Sequence, residues 1–379
     1  MEKDCELMRR VYAIADNIFS PIAENTKDNF IAAANSKTAI KKHSNSDIFS
    51  TPFFASLLGK IEVHNGFSRF ESVCISSIEN ALKPIENLLN KSETIFILSS
   101  TKGNVELIEN GNYTKADISL FNSAKKVANK FSLNNQPIVV SNACISGVLA
   151  INMAQQLLAN GSYKHAVICG ADVLSKFVIS GFHALGAASS EICKPFDKNR
   201  AGINLGECAA TIVLSTEEKL NTFPKKIEVG KGFTTNDSNH ISGPSRTGAE
   251  LAFAIQKTIS ENQIAIDEIS FVNAHGTATL FNDEMEAKAF NLSGIAQVPT
   301  NSTKAITGHT LGAAGVVESI LSIHSLLENK ILPSTNFSEL GTTVPVNVNA
   351  QYISSEKSVA LKTASGFGGC NAVTFFKIA

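Results

Sequence analysis

The chain has 379 residues, of which 44% are hydrophobic and 18% are charged, and its formal net charge is -1. This composition is typical of a soluble globular protein long enough for two domains. The near-zero charge argues against general binding to nucleic acids or membrane surfaces, no apolar run is long enough to span a membrane, and the start MEKDCELMRR lacks the features of a signal peptide. Seven cysteines without a Cys-x-x-Cys pair predict neither a disulfide framework nor a zinc site, and they favour a reducing cytoplasm.

The first half of the chain is predicted to alternate strands with helices. Its apolar patterns predict strands at 11–19, 94–99, 138–140, 164–171 and 207–215. They predict helices at 25–34, 70–82, 116–131 and 145–160, with a loop-rich stretch at 35–70. Residues 216–224 are polar and end in proline, so we interpret them as a link between two halves.

The second half repeats this order. It is predicted to hold strands at 226–229, 269–274, 358–364 and 371–378, and helices at 248–261, 283–291 and 309–329. Strands that alternate with helices predict mostly parallel sheets covered by helices. The expected α/β fold is therefore a five-layered α-β-α-β-α sandwich of two similar halves, 1–218 and 222–379, with the most apolar helices, 145–160 and 312–327, buried back to back.

Cys144 lies where a short predicted strand turns into an apolar helix. Such a junction holds a side chain at the edge of a sheet, and the helix N-terminus offers free N–H groups and partial positive charge. Because the first turns of this helix contain no acidic residue, the thiol is expected to have a lowered pKa and to be reactive. A buried structural cysteine is the alternative at this point.

Two histidines follow strand or glycine signals. His275 stands at the carboxyl end of a predicted strand, the edge at which open α/β sheets bind ligands. His309 follows Gly308 at the start of the second apolar helix, where the helix N-terminus favours a neutral imidazole. Each alone is more simply a capping or core histidine, but together with Cys144 they predict a site.

Five stretches now resemble one family, the β-ketoacyl-acyl-carrier-protein synthases of the elongating, Cys-His-His type, which have the thiolase-like fold. They run in order across nearly the whole chain: SNACISG (141–147), KPFDKNRAGINLGE (194–207), NAHGTATLFND (273–283), STKAITGHTLGAAGVVE (302–318) and SGFGGCNA (365–372). Thiolases have a different histidine motif, and the initiating synthases that use coenzyme A have asparagine where this chain has His309.

The resemblance implies a role for each matched residue. Cys144 would accept an acyl chain, while His275 and His309 would flank the place where malonyl carrier protein loses carbon dioxide. Lys304 matches the family's active-site lysine. The other implied residues are Glu318 as the partner of Lys304, Thr277 and Thr279 as ligands of the phosphopantetheine arm, Phe367 as the gate of the acyl pocket, and Asp283 and Asn371 as supporting residues.

The chemistry of condensation suits these residue types. A thiolate is both a nucleophile and a leaving group, as acyl transfer requires. Backbone N–H groups of Cys144 and Phe367 are expected to bind the oxyanion, and two neutral histidines can hold an enolate oxygen. The predicted reaction requires no metal and no redox cofactor.

The chain departs from the family pattern outside these stretches. The first strand ends in AIADNIFSPIAEN and the strand at 94–99 continues into SSTKGNVELIENGN, where the family has glycine-rich turns. Cys370 replaces a threonine, and GFHALGAAS (181–189) lacks an arginine. These changes affect expected substrate and partner identity more than the reaction, and they fit a synthase of polyene or other secondary acyl products as well as of fatty acids.

Two alternatives to a condensing enzyme stay open. One is a non-catalytic chain-length partner of a ketosynthase, a class that characteristically lacks the nucleophile. The other is a thiolase-like enzyme acting on coenzyme A esters, with Cys370 as acid/base.

The expected partners are an acyl carrier protein and a second subunit. The strand PIVVSNA (137–143) is too apolar for a free sheet edge, which predicts a homodimer or a heterodimer with a related subunit. Carrier proteins are acidic, so basic residues near the mouth of the site would speed docking. Arg69, Lys125 and Lys126 are the candidates.

Overall fold

The computed structural model describes residues 8–44, 49–111 and 113–379. Within these residues the first half forms eight strands and six α-helices: β1 (Tyr12–Phe19), α1 (Thr26–Ala34), β2 (Lys41–His43), β3 (Phe53–Ser56), α2 (Arg69–Leu82), β4 (Thr94–Ser99), α3 (Glu106–Glu109), α4 (Leu120–Lys130), β5 (Ile138–Val140), α5 (Ser146–Ala159), β6 (His165–Asp172), α6 (Lys176–Ala184), β7 (Leu205–Gly206) and β8 (Cys208–Ser215). The predicted elements are confirmed with shifts of a few residues at their ends, whereas α3, α6 and the short strands β2, β3 and β7 were not predicted.

The second half forms eight strands and four helices: β9 (Ile227–Val229), β10 (Phe233–Asn236), α7 (Ala249–Glu261), β11 (Ile269–Asn273), α8 (Leu280–Leu292), β12 (Thr300–Asn301), α9 (Lys304–Thr307), α10 (Ala314–Leu327), β13 (Lys330–Ile331), β14 (Ile353–Ser354), β15 (Val359–Gly366) and β16 (Cys370–Ile378). The predicted helix at 309–329 is divided, because a 3₁₀ turn at Leu311–Ala313 precedes α10.

Eleven strands form one sheet in the order β5-β4-β6-β8-β1-β9-β16-β15-β11-β12, with β10 paired to β16. Numbered within its own half, each set of five has the order 3-2-4-5-1, and the two sets meet where β1 pairs with β9 over two residues. The expectation of mostly parallel strands is wrong. Only the pairs β4–β5, β4–β6, β11–β12 and β11–β15 of this sheet are parallel, since β15 and β16 form a hairpin and β8 runs against both of its neighbours.

Helices cover both faces of each set of five strands. The two sets therefore form two β layers, and the predicted five layers are confirmed. Helices α2 and α4 pack on the outer face of the first half, α7 and α8 on that of the second, and α5 and α10 lie against each other between the halves. Both central helices are apolar on nearly every side, which explains their burial. The predicted domain limits, 1–218 and 222–379, stay a prediction.

Two glycines allow the central helices to touch. A Cβ at Gly147 of α5 would lie 2.7 Å from the backbone nitrogen of Val316, and one at Gly315 of α10 would lie 2.4 Å from that of Val148. The helix backbones therefore meet near their N-termini. This crossing brings together the loops that precede α5 and α10.

No helix in the described parts of the chain combines the length and apolar character that a membrane span requires.

Candidate active site

Cys144 lies in a tight turn between β5 and α5, as the sequence predicts. The preceding residue, Ala143, has a φ of 43°, in the left-handed region that side chains other than glycine seldom adopt. The Ser146 hydroxyl donates to the Ala143 carbonyl at 2.7 Å and accepts from the Asn142 N–H at 2.8 Å. The strained turn thus fixes the thiol at the edge of the sheet.

The predicted lowering of the Cys144 pKa is wrong. Burial raises the pKa of this thiol to about 12, although the charge of Lys304 acts in the opposite direction. The residue is only 8% exposed, so a thiolate at this position would lose most of its hydration. At neutral pH the resting group is a thiol.

His309 is held by backbone from the other half. Its N–H donates to the Asn204 carbonyl at 2.7 Å, and its carbonyl accepts from the Gly206 N–H at 3.0 Å. The ring Nδ1 accepts from the Leu311 N–H at 3.2 Å. The proton of the neutral ring is therefore on Nε2, a buried atom that has no partner within the described chain.

His275 follows the carboxyl end of β11, where the sequence places it. Its N–H donates to Glu286 at 2.7 Å and its carbonyl accepts from the Lys304 ammonium at 2.6 Å. The ring Nδ1 is buried and lacks a partner within the described residues. The backbone is thus fixed on both sides while the ring stays available.

The structure brings Cys144, His275 and His309 into one buried group. The Cys144 sulfur and one ring nitrogen of each histidine all lie within 4.8 Å of one another. The two imidazole centroids are 5.2 Å apart, and the angle between the ring planes is 81°. Such a set could ligate a metal ion by distance alone. Burial, and then the charge of Lys304, holds the pKa of both imidazoles well below 6.5. The expectation of a neutral His309 is confirmed, with burial as the main cause.

Lys304 and Glu318 form the buried ion pair that the sequence predicts, with 2.5 Å between Nζ and Oε1. Both side chains are at most 5% exposed. An unpaired charge at this depth would be strongly unfavourable, so each group requires the other.

The loop Gly366–Gly369 packs against the nucleophile turn. A Cβ at Gly366 would lie 3.0 Å from the Cys144 nitrogen, so a glycine allows this close approach. The Phe367 ring is 38% exposed and stacks on Phe182 of α6, with centroids 5.8 Å apart. Phe367 therefore lies at the boundary between the site and solvent.

A cavity that opens to solvent connects these groups. Predicted site residues that line it are Cys144, His275, Thr277, Thr279, His309, Phe367 and Asn371. Lys304, Asp283 and Glu318 lie behind it: Asp283 is fully buried, accepts the Thr277 N–H at 3.0 Å, and has its pKa raised by burial to about 7. The catalytic, binding and supporting roles inferred from the resemblance stay predictions.

Several residues at the site were not found from the sequence. They are Phe182, which stacks on Phe367; Asn204, which holds His309; Glu286, which holds His275; and Lys362, which forms an ion pair with Glu318 at 2.6 Å. Only Lys362 carried a signal, a charged residue inside the apolar strand pattern VALKTASG.

This fold and this buried Cys-His-His group define the class of thiolase-like acyl-transfer enzymes. The N-terminal domain of the β-ketoacyl synthase family matches residues 101–219, which include Cys144. The family's C-terminal domain matches residues 228–338, which include His275, Lys304 and His309. The chain belongs to the β-ketoacyl synthase family, and the predicted enzyme class is confirmed.

Curated relatives agree with this assignment. A 3-oxoacyl-[acyl-carrier-protein] synthase 2 of Vibrio cholerae is 32% identical over 311 residues, which cover 74% of this chain and 74% of that protein. A polyketide biosynthesis malonyl-ACP decarboxylase of Bacillus subtilis is 31% identical over 258 residues, 64% of this chain and 60% of that protein. The chain thus spans about three fifths of the length of the Bacillus relative.

Solved structures show the same thiolase-like fold. A chain of the complex between a ketosynthase and its chain length factor from Xenorhabdus doucetiae superposes with a TM-score of 0.87 at 23% identity, and the match covers 100% of both chains. A beta-ketoacyl synthase from Burkholderia phymatum has a TM-score of 0.87 at 24% identity and covers 98% of this chain and 100% of that one.

Proposed function

We propose that this enzyme condenses an acyl group carried on Cys144 with malonyl-acyl-carrier protein, giving β-ketoacyl carrier protein and carbon dioxide. The observation that carries this proposal is the buried group of a thiol and two neutral imidazoles whose free ring nitrogens face one cavity. The reaction belongs to fatty acid or polyketide-type biosynthesis.

The first step transfers the acyl group. The Cys144 sulfur attacks the thioester carbonyl, the sulfur of the carrier leaves, and the thiol proton is finally taken up by that leaving thiolate. Because the pKa of Cys144 is about 12, a base must accept the proton during attack, and an adjacent neutral imidazole can do this. The N–H groups of Cys144 and Phe367 would bind the oxyanion, each worth roughly 3 kcal/mol.

The second step makes the carbon nucleophile. Malonyl thioester loses carbon dioxide, and the electron pair of the broken C–C bond forms an enolate. The His309 Nε2–H and the His275 ring would donate hydrogen bonds to the enolate oxygen. Because both rings are neutral, they would do this without forming an ion pair with the malonyl carboxylate. The enolate carbon then attacks the acyl-Cys144 carbonyl, and Cys144 leaves as a thiolate that takes a proton from water.

The cavity mouth suits a phosphopantetheine arm. The hydroxyls of Thr277 and Thr279 lie 2.8 Å apart on the cavity wall, where they could bind its amides. Phe367, between two glycines, could swing to admit the acyl chain. Lys304, Glu318, Asp283 and Asn371 would support the reacting groups without touching substrate.

We also propose a dimer and a carrier-protein partner. Among the residues that the structure describes, strand β5 pairs only with β4, and this strand directly precedes the turn that carries Cys144. A homodimer or a heterodimer with a related ketosynthase-like subunit would cover this edge. Solved neighbours include a ketosynthase with its chain length factor and a type II polyketide acyl-carrier protein with its ketosynthase, which is consistent with both partners.

The two alternatives are less well supported. A non-catalytic chain-length subunit would not need the buried thiol beside two free imidazoles. A thiolase-like acid/base role for Cys370 is disfavoured because its thiol lies 3.4 Å from the Phe367 carbonyl and does not line the cavity.

We propose that no metal or redox cofactor takes part, because each step uses only proton transfer, acyl transfer and loss of carbon dioxide. Activity that survives chelator treatment would support this, and loss of activity would contradict it. The six described cysteines are buried free thiols, which is consistent with the cytoplasm as the site of action.

Intact mass spectrometry with a panel of acyl carrier proteins tests the proposal. The expected result is one added acyl group, absent in Cys144→Ser, followed by release of β-ketoacyl carrier when malonyl carrier is added. The panel also reports chain length and carrier preference. Absence of both acylation and decarboxylation with every carrier, with and without a related subunit, would favour the chain-length alternative.

A further inference from the structure

Lys362 lies in the middle of β15, where all the remaining residues from Val359 to Ser365 are buried and uncharged. Its side chain is 0% exposed. Lysine is almost never fully buried without partners, because removing an ammonium group from water is very unfavourable. The site residues inferred from the sequence do not include Lys362, although it forms an ion pair with Glu318, which is one of them.

The ammonium group of Lys362 has four close oxygen partners. It lies 2.6 Å from Glu318 Oε2 and donates to the Thr363 carbonyl at 2.7 Å. It also donates to the carbonyls of Ala274 and Asn273, at 3.3 and 3.4 Å. These two carbonyls immediately precede His275.

Lys304 extends this arrangement by one residue. Its ammonium group donates to the His275 carbonyl at 2.6 Å and lies 2.5 Å from Glu318 Oε1. Three successive carbonyls, 273–275, are therefore held by two lysines, and one carboxylate lies between both lysines. Without Lys362, Glu318 would keep only one cationic partner, Lys304.

The opposite side of the same backbone is held from β15 as well. Glu286 accepts the N–H groups of His275 and Gly276, each at 2.7 Å. The neighbour of Lys362, Thr363, donates its hydroxyl to Glu286 at 3.0 Å. Consecutive residues of β15 thus support the two sides of the peptide that carries His275.

We infer that Lys362 is a positioning residue of the condensation site: it fixes the backbone of His275 and shares Glu318 with Lys304. This inference rests on the proposed function. Lys362 does not line the cavity, so it acts through His275 and not on substrate.

The same lysine contributes to the electrostatics of the imidazoles. The charged and titratable groups around them are Lys102 after β4, Cys144 before α5, Asp172 in β6, Glu286 in α8, Lys304 in α9, Glu318 in α10 and Lys362 in β15. After burial and Lys304, the charge of Lys362 also lowers the pKa of His275 and His309. Burial in turn lowers the pKa of Lys362 to about 8.

The test is the pH profile of malonyl decarboxylation by the full chain, with malonyl-N-acetylcysteamine as the probe. Lys362→Met should lower kcat by about 10- to 100-fold with little change in KM, because a displaced imidazole binds the transition state poorly. Its acid limb should move to higher pH, since one fewer cation opposes protonation of the histidines. Wild-type activity should fall above pH about 8, as Lys362 loses its proton, and the variant should lack that limb.

Two further variants separate position from charge. Lys362→Gln keeps a donor for the carbonyls without the charge, so it should recover part of kcat but keep the displaced acid limb. Lys377→Met is the matched control, because Lys377 lies in neighbouring β16, is 36% exposed, and pairs with Glu268 away from the site. It should behave as the wild type.

A folded Lys362→Met with the wild-type kcat and acid limb would overturn the inference. If no neutral variant folds, Lys362→Arg decides, because it keeps the charge but cannot reproduce the ammonium contacts with Glu318 and the three carbonyls; a folded Lys362→Arg with the wild-type kcat overturns the inference. Wild-type protein that decarboxylates no malonyl thioester contradicts the proposed function instead, so the two failures are distinguishable.

Discussion

The two halves share a strand order but use it for different chemistry. In each half the third strand, β5 or β12, is followed by a central helix, and in the second half the short helix α9 comes between them; a loop precedes each central helix. That loop carries Cys144 in the first half and His309 in the second. Because α5 and α10 cross at Gly147 and Gly315, the two equivalent loops meet. A repeated architecture thus places the Cys144 thiol opposite the His309 ring.

The halves differ most between their fourth and fifth strands. The first half inserts residues 173–207, which include α6 and β7, and this segment holds His309 through Asn204 and Gly206. The second half has only the turn at Gly366–Gly369, which packs against the Cys144 nitrogen. Each half therefore supports the reactive residue of the other, and neither half has a complete site.

The sharpest test of this division is Cys144→Ala. Condensation should be abolished, because no other described cysteine lines the cavity. Malonyl decarboxylation should survive, since it needs the histidines of the second half and no thiolate. Product analysis with labelled malonyl carrier measures both rates. Loss of decarboxylation in a folded variant would show that the halves do not act separately.

His275→Ala and His309→Ala should have the opposite effect. Decarboxylation should fall by about 100-fold or more, as for the loss of one oxyanion donor. Acyl-Cys144 should still form in both variants, but more slowly in His275→Ala, because that ring can accept the Cys144 proton while the His309 Nε2 already carries one. Because the two rings act on one oxygen, the double variant should be little worse than either single one. Rapid-quench mass spectrometry of acyl-Cys144, beside carbon dioxide release, measures the split. Equal loss of both steps would contradict it.

Gly147→Ala tests the crossing that joins the halves. The new methyl group would meet backbone of α10, so the free energy of unfolding should fall by about 1–3 kcal/mol. Gly181→Ala is the matched control, because Gly181 is also helical and has no atom within 4 Å of the added carbon. Thermal denaturation compares the two. Equal stability would mean that α5 can move away without cost.

Phe367→Ala tests the contact between the second-half turn and α6 of the first half. Without the gate, malonyl carrier should enter before acylation, so a few-fold larger share of it should be decarboxylated without condensation. Phe182→Ala removes the stacking partner and should act in the same direction. Phe177→Ala, on an exposed position of α6, serves as the control. Unchanged partitioning in both variants would contradict gating.

The sequence predicted the fold and the three side chains that the structure groups around the cavity, because their signals are local. Apolar periodicity, a strand-to-helix turn and glycine-histidine pairs each occupy a few consecutive residues. The antiparallel β8, the high pKa of Cys144 and the support from Asn204 and Glu286 depend on contacts between distant segments, and burial decides them. Lys362 shows the intermediate case, where an unexpected charge in a strand is visible but its partners are not.

The last comparison asks which half meets the carrier protein. The predicted docking residues, Arg69, Lys125 and Lys126, all belong to the first half, and none lines the cavity or its mouth. Arg69 makes a two-pronged contact with the buried Glu207 at 2.8 Å, and Lys126 pairs with Glu71. Lys125 is exposed, and the described chain gives it no ion pair.

Next to the cavity lies an apolar rim to which both halves contribute, with Leu185 55% exposed in the first half and Phe281 77% exposed in the second. Lys125→Glu should raise KM for carrier-bound substrates by about two- to five-fold, the range of an interaction worth under about 1 kcal/mol, and should leave N-acetylcysteamine thioesters unaffected. Phe281→Ser tests the rim by the same comparison, with Phe253→Ser, also exposed, as its control. A loss with Phe281→Ser and none with Lys125→Glu would move docking to the second half. Equal losses on both substrate types would indicate a damaged site.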